Sequence, residues 1–273
     1  MDREIAYRLI EMTKGFYARF AESFSDTRQR PWQGWIDLLD VLADDGMQVD
    51  RSRTFKVADI GCGNMRFERL LIERIANVID VKPAIDALCV DATVQLMDRD
   101  PFISDELSGR VALKQVCTDV IDSLSVTGDL SLDGVYRDRD LVVCFALMHH
   151  IPLRSWRIAL IRSMIDLAAE GGYVVLSFWQ FSKDDRIHSK AVAANALAKD
   201  RLQIDLDAKH GDYFLGWQGS TQCFRYCHDF SDDEVNSLID ECLSSAENVS
   251  LLSTFCADGS TGDLNRYVVL KKA

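Results

Sequence analysis

The segment Val57-Ala58-Asp59-Ile60-Gly61-Cys62-Gly63-Asn64 restricts what this chain can fold into more than any other. An apolar run ends in an acid and two closely spaced glycines. Phe67, Leu70, Leu71 and Ile75 then follow at helical spacing. A strand that turns through glycine into a helix brings backbone close to a ligand, because glycine adopts conformations other residues resist. Further strand-like runs occupy residues 87–90, 111–117, 141–145 and 173–178. The last is reached through Gly171-Gly172 from a helix carrying Leu160, Ile161, Met164 and Ile165. Strands alternating with helices imply a mostly parallel sheet covered on both faces. Residues 251–255 and 267–270 are expected to add a closing antiparallel pair.

A chain of 273 residues suits a single α/β domain, here 1–273, with residues 1–50 as a helical N-terminal cap and 183–215 as a candidate lid. No apolar run reaches the roughly 18 residues needed to span a membrane, and the start, Met1-Asp2-Arg3-Glu4, lacks a signal peptide's pattern. The eight cysteines form no CxxC pair. Cys89, Cys117 and Cys144 lie in apolar runs and read as reduced, buried thiols of a cytoplasmic protein. Cys223, Cys227 and His228 have no second ligand pair at zinc spacing, so no metal site is expected. A net charge of −12 argues against non-specific coating of nucleic acid, which needs clustered cations.

The glycine turn alone is shared with dinucleotide-binding proteins, but Arg66 occupies the last glycine position of GxGxxG, which disfavours NAD. Asp59 suits a ligand with an ammonium group. Asp91, after the second strand, is placed to accept from both ribose hydroxyls, with Asp80 as its rival. Asp119, after the third strand, can accept from an adenine amino group or cap a helix. Together these residues imply S-adenosylmethionine as cofactor and a class I methyltransferase (Rossmann-like) sheet. Met65 stands where this motif usually has glycine; the expectation is an adjusted turn with Met65 packing near the cofactor.

Four further segments carry a family resemblance. Phe16-Tyr17 with residues 24–32 resembles an FSxTRxxPW element. Ala146-Leu147-Met148-His149-His150 resembles a strand-four HH element. Residues 225–231 resemble an RYYHxFS element, and Gly262-Asp263-Leu264-Asn265 a closing segment. With Asp59-Ile60-Gly61-Cys62-Gly63-Asn64, the chain resembles the tRNA wobble-uridine (carboxymethyluridine) methyltransferases and their bacterial relatives. Met65 and the poorly matched stretch 183–215 depart from that pattern. The resemblance implies methyl transfer to the carboxylate of a carboxymethyl group on a tRNA uridine. For eukaryotic members it implies a small zinc-binding activator protein as partner.

A carboxylate is ionised at neutral pH and needs alignment rather than a general base. Arg28 is the first candidate to grip it through two bonds, with a surface Arg as the plain alternative. Trp32 is expected to wall the cofactor pocket, stack on a base or simply pack. One of His149 and His150 is expected to face substrate and the other to be structural. Tyr226 is a further catalytic candidate, Arg225 and Trp179 are substrate-side candidates, and His228 is a weaker one. Two rival readings use the same fold: a small-molecule O- or N-methyltransferase with a histidine base, and a non-catalytic S-adenosylmethionine-binding subunit.

Overall fold

The computed structural model describes residues 1–27, 30–47, 49–92, 109–132, 134–217 and 223–273. Two helices come first, α1 (Arg3–Asp26) and α2 (Gln33–Asp44). Asp2 caps α1 by accepting from the Ile5 amide at 2.9 Å. The helix buries Ala6, Leu9, Ile10, Thr13 and Phe16, three or four residues apart.

Strands β1 (Phe55–Ile60), β2 (Ile85–Asp91), β3 (Val111–Cys117), β4 (Arg139–Cys144) and β5 (Ala168–Trp179) run parallel. β8 (Val249–Ala257) and β9 (Asn265–Lys272) close the sheet antiparallel, giving the order β3-β2-β1-β4-β5-β9-β8. The expected closing pair is therefore present. Both faces of the central strands β1, β2 and β4 are covered, which is why they read as largely apolar runs. Val57, Leu141, Val143, Tyr173, Val175 and Val269 pack toward α2 and α3 (Arg66–Ile75). Their alternates Ala58, Ile60, Val142, Val174, Leu176 and Val268 pack in the opposite core with Ile10 and Leu160. Truncating such a leucine to alanine costs about 2–5 kcal/mol.

Gly171-Gly172 lies inside β5 instead of forming a turn before it. The β4–β5 register jumps from Arg139↔Ala168 to Leu141↔Tyr173. Gly171 has φ +74, and a Cβ on Gly172 would meet the Arg139 carbonyl at 2.8 Å. The glycines serve a bulge, where a side chain would collide with the neighbouring strand.

The chain also contains α4 (Val120–Val126), α5 (Arg154–Leu167), α6 (Asp185–Leu202) and α7 (Asp232–Leu243). A separate antiparallel pair, β6 (Asp212–Leu215) and β7 (Arg225–His228), packs against α6 and α1 through Leu9, Ala194, Phe214 and Tyr226. No described helix is long and apolar enough to cross a membrane. All eight cysteines are free; Cys89 and Cys144 are buried, but Cys117 is exposed at the edge strand.

Candidate cofactor and acceptor site

β1 has β2 on one side and β4 on the other, so connections leave in opposite directions and open a crevice at the strands' carboxyl ends. A cavity of about 970 Å³ lies there, bordered by residues of α1 and of the segment around Trp32. Asp59, Gly61, Gly63, Asn64, Asp91, Asp119, Trp32, Trp179, His149, His150 and Arg225 all line it. Arg28 lies outside the described residues.

At one end the glycine turn shapes the wall. Gly61 has φ +83, and a Cβ there would reach Leu147 at 3.0 Å. The Gly63 amide donates to the Asp91 carboxylate at 3.0 Å, so Asp91 both faces the cavity and holds the turn. Asp80 lies elsewhere, at the surface beside Arg51 at 3.3 Å. Asp119 caps α4 through the Asp122 amide at 2.9 Å, one of its expected roles, and meets Lys14 of α1 at 3.3 Å on the cavity wall. Asn64 donates to Ser25 and accepts from Arg66, both at 3.0 Å. The Arg66 guanidinium lies 5.1 Å from the Trp35 ring and 5.6 Å from Trp32, and burial draws its pKa down to about 10. Trp32 stacks on Trp35 at 5.0 Å.

Asp59 is 3% exposed, on the β1 face turned toward α3. Burial, then the nearby Glu68 carboxyl, raises its pKa well above the ordinary carboxylate range. Its Oδ1 has no hydrogen-bond partner. Met65 departs from expectation. It takes the left-handed conformation itself, φ 55, so the turn is not adjusted. Its side chain packs with Cys62, Cys89 and Leu113 rather than on the cavity. The helix start demands positive φ, and this apolar pocket offsets the roughly 1 kcal/mol of strain.

The other end is assembled from distant elements. Both histidines line the cavity, rather than one alone. His150 Nδ1 is 2.7 Å from the Tyr226 carbonyl oxygen, which can only accept, so Nδ1 carries the proton. His150 Nε2 then accepts from the Tyr17 hydroxyl at 2.8 Å. Burial, then the Arg225 charge, depresses the His150 pKa to about 3. The His149 ring lies 4.9 Å from Trp179. Arg225 is buried over the Phe16 ring at 4.7 Å and donates to the Gly216 carbonyl at 3.4 Å.

Tyr226 has a different place from the catalytic one expected of it. Its side chain is fully buried and does not line the cavity. Its hydroxyl donates to Asp212 at 2.5 Å and accepts from Arg157 at 3.3 Å. Only its backbone carbonyl serves the site, by orienting His150. His228 lies in the same buried network, between Asp212 at 3.0 Å and Glu234 at 2.8 Å. Of 183–215, Ile187 reaches the cavity wall. Among the described residues, donor atoms of His149, His150 and Cys227 lie within 4.8 Å of one another. An ion there would have to displace a hydrogen bond at His150, both of whose ring nitrogens are engaged.

Sequence reasoning missed Tyr17 as a partner of His150, Thr13, whose hydroxyl accepts from the Tyr226 amide at 3.0 Å, and Glu68. Glu68 did leave a signal, an acid on the apolar face of α3.

No protein-family model matches the sequence, nor does any curated protein. Solved structures do match by shape. A Burkholderia thailandensis 1,6-didemethyltoxoflavin-N1-methyltransferase, with its acceptor and S-adenosylhomocysteine bound, is 13% identical with TM-score 0.57, over 100% of this chain and 91% of that one. A Methanosarcina mazei S-adenosylmethionine-dependent methyltransferase is 15% identical with TM-score 0.54, over 85% and 96%. The Bradyrhizobium japonicum N-methyltransferase NodS, with S-adenosylhomocysteine, is 11% identical with TM-score 0.51, over 90% and 89%. At such identities the likeness is one of architecture: this chain has the class I methyltransferase fold.

Proposed function

We propose that the protein is an S-adenosylmethionine-dependent methyltransferase whose acceptor is an ionised carboxylate, of the kind carried by a carboxymethylated wobble uridine in tRNA. The observation that carries the cofactor half is the meeting of Asp59, Asp91 and Asp119 with the Gly61 and Gly63 turn on one cavity wall. Asp59 is suited to the ammonium end of the ligand. Asp91 is suited to the ribose hydroxyls and Asp119 to the adenine amino group. The folds matched in shape include two solved with the demethylated cofactor. When bound, S-adenosylmethionine supplies a methyl group on a sulfonium; the chain's residues align the acceptor and exclude water.

The acceptor half rests on His150. With its pKa near 3, it is neutral at physiological pH but a poor proton acceptor. A hydroxyl acceptor requires proton removal; a carboxylate does not. Arg225 is a described cation on that wall, and Arg28 is the residue the sequence resemblance assigns to the same task. That resemblance also extends the proposal to tRNA and to a small zinc-binding activator as partners.

A second reading has support of its own. The N-methyltransferases matched by shape include one acting on 1,6-didemethyltoxoflavin, and the net charge of −12 suits a small acceptor better than a polyanion. Mass spectrometry of tRNA from cells lacking the gene separates the two. Loss of a wobble-uridine methyl ester supports the tRNA reading; unchanged tRNA nucleosides sink it and leave the small-molecule reading.

A further inference from the structure

At the acceptor end a closed ring of hydrogen bonds joins α1, the turn after β4, and β7. Thr13 and Tyr17 lie one turn apart on α1. The Thr13 hydroxyl accepts from the Tyr226 amide at 3.0 Å. The carbonyl oxygen of Tyr226 is 2.7 Å from His150 Nδ1, and His150 Nε2 is 2.8 Å from the Tyr17 hydroxyl. One member of this ring has a fixed polarity, because a carbonyl oxygen can only accept. His150 Nδ1 therefore donates. The surroundings keep the imidazole neutral. Burial and the Arg225 charge both disfavour a second proton, and the Cys227 thiol, 4.0 Å from Nδ1, is pushed up to about 11 by burial and carries no charge. Nε2 is then a bare acceptor, and the Tyr17 proton is committed to it. The Tyr17 oxygen presents only lone pairs to anything else that approaches. Tyr17 is half-buried and lines the cavity together with His150 and Arg225. Arg225 lies over Phe16, the neighbour of Tyr17 in α1.

We propose that Tyr17 is a specificity-determining residue of the acceptor site: its hydroxyl, committed as donor to His150, selects acceptors that carry a hydrogen-bond donor, such as an imide N–H, as well as the carboxylate. This rests on the acceptor reading above and sharpens it. An unrestrained tyrosine hydroxyl turns to suit a donor or an acceptor alike and discriminates little. Here turning breaks the bond to His150, and a ligand carbonyl placed against the oxygen would set lone pairs against lone pairs. A polar group desolvated without a match is costly, and that cost is how a hydrogen-bonding site rejects the wrong ligand. The Arg225 cation and the Tyr17 lone pairs together suit a ligand with both an anion and an N–H. A uracil ring with a carboxymethyl arm offers both. The same ring methylated at its imide nitrogen offers only the anion.

Long-range proton–nitrogen correlation NMR of the histidine rings reads the polarity without any ligand. The His150 signals, assigned by their loss in His150→Gln, should show a protonated Nδ1 and a bare Nε2 in the wild-type protein. Tyr17→Phe should shift the Nε2 resonance. Calorimetry on the S-adenosylhomocysteine complex gives the second arm, comparing carboxymethyluridine with its derivative methylated at the imide nitrogen. Wild type should prefer the N–H form at least about fivefold. Tyr17→Phe should weaken that form by about threefold to tenfold and bring the two ligands within about twofold of each other. A protonated Nε2, equal affinities in wild type, or a preference that persists in Tyr17→Phe and so reflects bulk alone would overturn the inference while leaving the acceptor reading intact. Binding of neither nucleoside to the wild-type complex would overturn both.

Discussion

At the cofactor end of the cavity, Asp59, Gly61, Gly63 and Asn64 belong to one strand-turn-helix, with Asp91 and Asp119 following at the ends of the next two strands. At the acceptor end, Tyr17 and His150 are 133 positions apart, and His150 and the Tyr226 carbonyl 76. The first end depends on backbone conformation and would survive most changes to its neighbours. The second depends on α1, the end of β4 and β7 being held together, so its chemistry is exposed to the rest of the fold. The contrast also separates their charges. Acids dominate the cofactor end, whereas a buried guanidinium and a neutral histidine mark the other.

The largest expected effect should fall on one end alone. Arg225→Ala should lower kcat/KM by about 2–5 kcal/mol of transition-state stabilisation, the usual result of removing a buried charge from its setting. Affinity for S-adenosylhomocysteine should stay within about twofold. An equal loss in both would show that the two ends are not independent.

Asp91→Ala is the converse test. It should weaken S-adenosylhomocysteine by about 1.5–3 kcal/mol, the worth of hydrogen bonds to a charged group. Asp80→Ala, at the surface, should leave affinity unchanged in the same calorimetric titration. Weakening by the Asp80 variant would reverse the assignment.

Met65→Gly sets two effects against each other. Glycine relieves roughly 1 kcal/mol of left-handed strain but removes a side chain only 3% exposed, worth about 2–5 kcal/mol. The packing loss should win, leaving the variant about 1–4 kcal/mol less stable in chemical denaturation. A more stable variant would mean the cluster with Cys62 and Cys89 contributes little.

His150→Ala should have the smallest effect on turnover, about 1 kcal/mol from the disturbed Tyr17 hydrogen bond. The rate should be flat between about pH 6.5 and 9, since a carboxylate acceptor is ionised throughout. A histidine-dependent rise through pH 6–7 would favour a hydroxyl acceptor. Stability gives an independent check. The His150 pKa falls from 6.5 to about 3 on folding, so the unfolded chain binds the proton first. The contribution is fully present above pH 6.5 and declines below it, by up to roughly 1.4 kcal/mol per pH unit. The alanine variant should lack that part of the acid sensitivity in denaturation curves measured between pH 7 and 4.

The same contrast explains what could be read from the residues alone. β1 and β4 are legible because strands covered on both faces are largely apolar, and the glycine turn because backbone conformation leaves its mark in residue type. Gly171-Gly172 misleads, since glycine marks a turn and a bulge alike. β6 and β7, four residues each, are too short to show a period. Tyr226 lies in a striking-enough sequence element, but nothing local tells whether its hydroxyl faces a ligand or Asp212. Met65 shows the limit of a motif: the conformation is kept although the residue that eases it is not.

Calorimetric titration with S-adenosylhomocysteine and, separately, NAD tests the central claim most directly. Saturable 1:1 binding of S-adenosylhomocysteine, with no heat from NAD, is the predicted result. No binding of S-adenosylhomocysteine, or binding of NAD in its place, would contradict the account.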